Sequence, residues 1–162
     1  MQMAEIDGTV AARKALGVLR EAVEGPSGPS TYFIDNKPDA GLLGALASIG
    51  AAEASRLWGD TTVAAHAHHI AFAMADSAAI LEGSRTPPDW KESWRVTSVD
   101  DAAWKDLVAR VGREYERLRR AIASRSSSSA ETFGEVVGSI AHVAYHLGAI
   151  RQKIVGLQST RR

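Results

Sequence analysis

Two stretches of this chain, residues 61–75 and 136–150, contain no Asp, Glu, Lys or Arg, although charged residues make up 23% of the sequence. All five histidines fall inside these two stretches: His66, His68 and His69 in the first, His142 and His146 in the second. Both are long for a strand and carry their apolar residues at helical spacing, so each predicts a helix covered on most of its circumference. A chain with two such helices has to provide other helices to cover them.

The remaining segments supply those partners. A first periodic segment starts near Asp7 or Thr9, either of which can cap it, runs through Val10, Leu16, Leu19 and Val23, and ends at Gly25 and Pro26. The Gly-Pro-Ser loop that follows leads into an irregular Tyr32-Phe33-Ile34. Residues 39–49 and 51–57 read as two short helices broken at Gly50. Asp60 is the expected cap of the first histidine helix, which continues to about Leu81 and stops at Gly83 before Pro87-Pro88. Trp90 and Trp94 lie in a connection and are expected to plug an end of the fold.

Ser98 with Asp101 has capping-box spacing, so a long helix is expected to start there. Trp104, Val108, Val111, Tyr115, Leu118 and Ile122 give it the clearest amphipathic stripe in the chain. A serine turn at 126–129, with Ser128 and Glu131 again at capping spacing, opens the last helix, residues 130–157. Its expected stripe is Phe133, Val137, Ile140, Ala144, Leu147 and Ile154, and its charge-free middle predicts a place inside the fold. Four principal helices without a strand pattern predict an all-α four-helix bundle, with short extra helices in the connection after the first, as one domain over residues 1–162.

Composition removes several functional classes. Nineteen basic and nineteen acidic residues cancel, leaving no global field for nucleic acid or an anionic membrane. The absence of cysteine excludes disulfides, thiolate metal sites and cysteine nucleophiles, so any metal has to be held by nitrogen and oxygen. The N-terminal residues lack a signal-peptide pattern and no apolar run is long enough to span a bilayer, so a cytoplasmic location is the expectation. No phosphate-binding glycine loop or Ser-His-Asp order is present.

The histidines remain. Residues four apart in a helix differ by about 40° around the axis and stand roughly 6 Å apart, so His142 and His146 can aim at one point. By itself that pair reads equally well as two buried imidazoles satisfied by hydrogen bonds. His66 and His69 also share a face, whereas His68 is turned about 100° from His69 and reads as a bundle-edge or surface residue. Two charge-poor helices, each with a same-face His pair, favour a metal held between facing helices. Three neutral imidazoles leave a divalent ion an open position for substrate. Zinc, nickel, iron and copper all suit imidazole. Glu135 and Ser139, two turns and one turn before His142, read either as outer partners of the site or as an ordinary Glu and a packing Ser. Tyr145 points away from the pair towards core or rim, and the four tryptophans read as core and loop anchors, with room for one to line a pocket.

The segments His142-Val143-Ala144-Tyr145-His146-Leu147-Gly148-Ala149-Ile150-Arg151-Gln152 and Thr62-Val63-Ala64-Ala65-His66-Ala67-His68-His69-Ile70 resemble the DinB-like superfamily of bacterial four-helix-bundle proteins, the damage-inducible type. Trp94, the helix from Trp104 to Tyr115 and Gly41-Leu42-Leu43 sit in the matching order. The resemblance implies a divalent metal held by one His of the second bundle helix and two of the last. His69, His142 and His146 match those positions, and His66 matches either a fourth ligand or a substrate-facing neighbour. Phe72 stands where some relatives carry an acidic residue, and Asp76 lies two turns beyond His69. The resemblance further implies a metal-dependent enzyme acting on a small-molecule substrate: a transferase or isomerase using a low-molecular-weight thiol cosubstrate, or alternatively a hydrolase. A non-catalytic metal- or small-molecule-binding protein, and a structural or interaction protein without metal, are the readings of other classes. A homodimer is compatible with the sequence, which locates no interface for it.

Overall fold

The helices begin where a side chain can accept the unpaired N-H groups of a first turn. The Thr62 hydroxyl accepts from Ala65 N at 3.1 Å and the Asp100 carboxylate from Ala103 N at 2.8 Å. Both caps lie two residues after those expected, Asp60 and Ser98. Thr62 also donates to the Thr97 carbonyl at 2.8 Å, a tertiary bond that Asp60, with its side chain 96% exposed, does not make. In this computed structural model residues 8–124 and 130–159 are described. Asp7 and the 126–129 turn with Ser128 lie outside them.

The described residues form six α-helices: α1 (Gly8–Glu24), α2 (Leu42–Ala47), α3 (Ala51–Ala54), α4 (Val63–Leu81), α5 (Asp101–Ala123) and α6 (Ala130–Ser159). A short 3-10 turn, Trp90–Trp94, lies between α4 and α5. Among the described residues no strand is present, and the isolated bridge between Trp58 and Thr61 is a turn feature. Helix α4 packs against α5 and α6, and α1 packs against the same two, so the four long helices close a ring around one core. Leu19 and Val23, Ile70 and Met74, Leu118 and Ile122, and Leu147 and Ile150 are buried in it. Helices α2 and α3, the expected short pair, pack against the long helices.

Helix ends and loops are set by specific groups. Gly83 has φ of 103° and closes α4 with Gly83 N donating to Ile80 O at 3.0 Å and Ser84 N to Ala79 O at 2.8 Å, which satisfies two end carbonyls. The 30–34 segment is fastened by the buried Glu21 carboxylate, which accepts from the backbone N-H of Tyr32 at 2.8 Å, Phe33 at 2.9 Å and Ile34 at 3.3 Å. Trp104 is buried and donates its indole N-H to Ile49 O at 3.1 Å, joining α5 to the short helices.

Helix α4 matches its charge-free sequence: every residue from 62 to 71 is buried. Helix α6 keeps Leu147 and Ile154 of its expected stripe and packs Ile140 against the core, but its N-terminal half departs from it. Its buried line is Val136, Val143, Leu147, Ile150, Ile154 and Leu157, whereas Phe133 and Val137 are about half exposed. Helix α6 packs chiefly against α1 and α4, and more lightly against α2, which leaves an outer face carrying Tyr145 at 72% exposure and Val155 at 57%. Lack of charge on α6 therefore does not mean burial all round, because Gly and Ala fill much of that face. No described helix is long and apolar enough to cross a membrane.

Candidate metal centre

The packing of α4 on α6 brings their histidine pairs face to face. His69 Nε2 lies 2.9 Å from His142 Nε2, and His66 Nδ1 lies 2.8 Å from His146 Nδ1. His142 and His146 lie side by side along α6 with ring centroids 4.7 Å apart and planes tilted by 34°, as the four-residue spacing allows. One nitrogen from each of His69, His142 and His146 lies within 4.8 Å of the other two. Two metal-nitrogen bonds of about 2.0–2.1 Å at a tetrahedral angle separate their nitrogens by about 3.3 Å. That value falls between the 2.9 Å of the His69–His142 pair and the 4.8 Å limit of the trio, so small side-chain rotations suit the three imidazoles to a divalent ion. His69 and His146 are buried and His142 is half-buried. His66 stands outside this trio, bonded to His146 Nδ1, where it fixes the orientation of that ring.

The tautomer of His69 follows from its neighbours. The Ser93 hydroxyl donates its one proton to Trp90 O at 2.7 Å, so its contact with His69 Nδ1 at 2.9 Å has the imidazole as donor. Nδ1 of His69 therefore carries the hydrogen, and Nε2 presents its lone pair towards α6. His68 does the corresponding work on the turn itself: its Nδ1 donates to the Ser93 carbonyl at 2.9 Å. His68 is buried, contrary to the edge or surface position expected for it, because the 3-10 turn packs on that side of α4. Ser93, fully buried, is the functional residue that the sequence reading missed. Its signal was a Ser inside Trp90-Lys91-Glu92-Ser93-Trp94, a turn framed by two large rings.

Those rings cover the histidines in the first two turns of α4. Trp94 stacks on His69 with centroids 4.1 Å apart and planes at 19°, and meets His66 edge-on at 5.4 Å. This cover removes water and disfavours the charged imidazolium. Burial, followed by the neighbouring imidazoles His142, His66 and His68, pushes His69 down to about 4. Burial, then His142, His69 and His66, pushes His146 to about 3. Burial followed by Lys153 pushes His66 to about 4, against a smaller opposing influence of Asp60, and burial alone lowers His142. The imidazoles are thus neutral near pH 7, the state a metal requires.

Two cavities flank the trio. One, about 380 Å³, is lined by His142 together with Asp76, Glu135, Ser139 and Trp90. Asp76 is raised above the ordinary carboxylate range by burial and then by the nearby charge of Glu135. Ser139 donates to the Glu135 backbone carbonyl at 2.8 Å, an ordinary helical back-bond, while both residues face the cavity. The other cavity, about 750 Å³, is lined by His66, His146, Trp94, Tyr145 and Lys153 among others. Tyr145 sits at its rim, its ring edge-on to His146 at 5.0 Å.

Fold and site together define an all-helical protein with a three-histidine cluster close enough to bind a metal ion. Compared with protein-family models, with curated proteins and with solved structures, the chain finds no match.

Proposed function

We propose that the protein is a metal-dependent enzyme of the DinB-like type, with His69, His142 and His146 holding a divalent ion such as zinc, nickel or iron. The observation that carries this reading is the convergence of three neutral imidazoles, one with its lone pair fixed by the Ser93 relay. An all-nitrogen set of three suits a borderline divalent cation and leaves room for one more ligand. When bound, such an ion acidifies a thiol or water that reaches it.

This chain's own residues supply the surroundings. Trp94 and Trp90 shield the trio from bulk water, His66 orients His146, and the cavities give small molecules access from two sides. The preferred reaction is transfer of a low-molecular-weight thiol to a small electrophile, or an isomerisation that uses one. Hydrolysis is the second reading, supported by Asp76, a carboxyl raised in pKa beside Glu135 in the cavity that His142 lines and so suited to exchange a proton there.

Elemental analysis tests the centre. Purified protein grown with ample transition metals should carry about one equivalent of metal, and both His69→Ala and His142→Ala should lose it. A metal-free wild type, or metal retained at full stoichiometry in both variants, rejects the assignment. Activity towards model electrophiles with and without thiols then separates transfer from hydrolysis.

A further inference from the structure

Lys153 is the one buried cation among the described residues, only 8% exposed, and it lies in the larger of the two cavities. Its ammonium donates to Trp58 O at 2.6 Å and to Thr61 O at 3.3 Å, the two ends of the bridged turn before α4. Its third partner is weak: Asp60 Oδ1 stands 3.8 Å away on a side chain that is 96% exposed. A contact that long to a carboxylate that exposed is loosely held, so Asp60 is readily displaced. A buried ammonium with two neutral carbonyls and a displaceable counter-ion is able to accept an anion from the cavity.

The surroundings suit one negative charge. His146 and Lys153 are seven residues apart, which places them on one side of α6 about 10 Å apart along the axis. Both line the same cavity, together with the hydroxyl-bearing Thr61, Thr97 and Tyr145. Thr61 immediately precedes the Thr62 cap, so the N-terminal dipole of α4 adds positive potential nearby. The smaller cavity on the other side carries Asp76 and Glu135 and repels the same charge.

We propose that the larger cavity binds a small monocarboxylate, its carboxylate on Lys153 and its other end at the histidine trio, with Asp60 as the resident counter-ion that the ligand replaces. The proposal rests on the metal-centre reading for the far end of the ligand and on Lys153 for the near end.

Two probes of equal length separate these ends: glutaric acid monohydroxamate, which ends in a carboxylate, and pentanohydroxamate, which ends in a methyl group. On zinc-loaded protein the acid should bind at least about tenfold more tightly. Lys153→Met should bring the two affinities together while leaving that of pentanohydroxamate unchanged. Asp60→Asn, an exposed substitution that leaves Lys153 in place, should widen the preference, an effect that a purely structural lysine does not predict. Equal binding of both probes to wild type, a preference that survives Lys153→Met, or an unchanged preference in Asp60→Asn overturns the proposal. Butyrate titrated into metal-free protein, followed by the fluorescence of the cavity-lining Trp94, reads the anion site without the metal. If pentanohydroxamate fails to bind zinc-treated protein, the metal reading fails; a butyrate response lost in Lys153→Met still supports the lysine site, and no butyrate response overturns it.

Discussion

Ser93 shows how much of the arrangement of the histidine cluster is set by a residue outside it. It accepts from His69 and donates to Trp90, while its carbonyl accepts from His68. Ser93→Ala removes the acceptor for His69 Nδ1-H and frees the ring to change tautomer and rotate. Loss of such an outer partner weakens metal binding by about 10–100-fold. Zinc affinity measured by competition with a chromophoric chelator should therefore fall by about that factor in Ser93→Ala, with helix content retained; unchanged affinity removes Ser93 from the site. The histidines also predict an acid response. In the unfolded chain they titrate near pH 6.5, whereas in the fold His66 and His69 are pushed down to about 4 and His146 to about 3. The unfolded state binds more protons over that interval, so stability is complete above about pH 6.5 and is lost as pH falls through about 4 to about 3. Asp76, shifted up, works in the opposite direction at lower pH. Urea denaturation of chelator-treated protein at pH 7 and pH 5 should show a lower midpoint at pH 5, and a flat or rising profile contradicts the neutral, buried state of these rings.

At the scale of elements, α5 was the most legible: Trp104, Val111, Tyr115, Leu118 and Ile122 are buried as the stripe requires. Helix α4 was nearly as legible, because α3, α5, α6 and the Trp90–Trp94 turn all pack around its charge-free stretch. The exposure of Phe133 and Val137 was not legible, since α6 carries no charge from 136 to 150 to set its orientation. Caps were displaced for a related reason: several adjacent residues could cap, and tertiary bonds such as Thr62 to Thr97 decided between them. Gly41, Gly44 and Gly156 mark three close approaches that no local pattern announced. A Cβ on Gly156 would fall 2.3 Å from the Trp58 ring, and one on Gly41 would fall 2.4 Å from Gly25 N. The Trp58 ring is 38% exposed and can swing outwards, whereas the backbone beside Gly41 has nowhere to go. Gly156→Ala should cost about 1 kcal/mol and Gly41→Ala about 3 kcal/mol or more, as overpacking does. Urea midpoints check the order, and a Gly156→Ala variant less stable than Gly41→Ala contradicts it.

For the whole molecule, the histidine helices are distant in sequence, with His69 and His142 lying 73 positions apart, and the two residues meet only when the ring of four helices has closed. The pairing of two charge-free helices was visible in the sequence. The cover over them was not, because the Trp90–Trp94 turn is set by contacts with α4 and not by any period of its own. Such a trio exists only in the folded state, so an ion that binds it stabilises the fold through mass action. Zinc at about a hundred times its dissociation constant should add about 2.7 kcal/mol, with further gain rising as the logarithm of free metal. His142→Ala leaves two imidazoles and should lose most of that gain, while His68→Ala, which alters a residue bonded to the turn and outside the trio, should keep it even if its metal-free stability is lower. Thermal denaturation of the three proteins across a zinc series decides this: a metal-dependent rise of equal size in wild type and His142→Ala places the bound ion elsewhere on the surface, and a rise lost only in His142→Ala ties α4 to α6 through the metal.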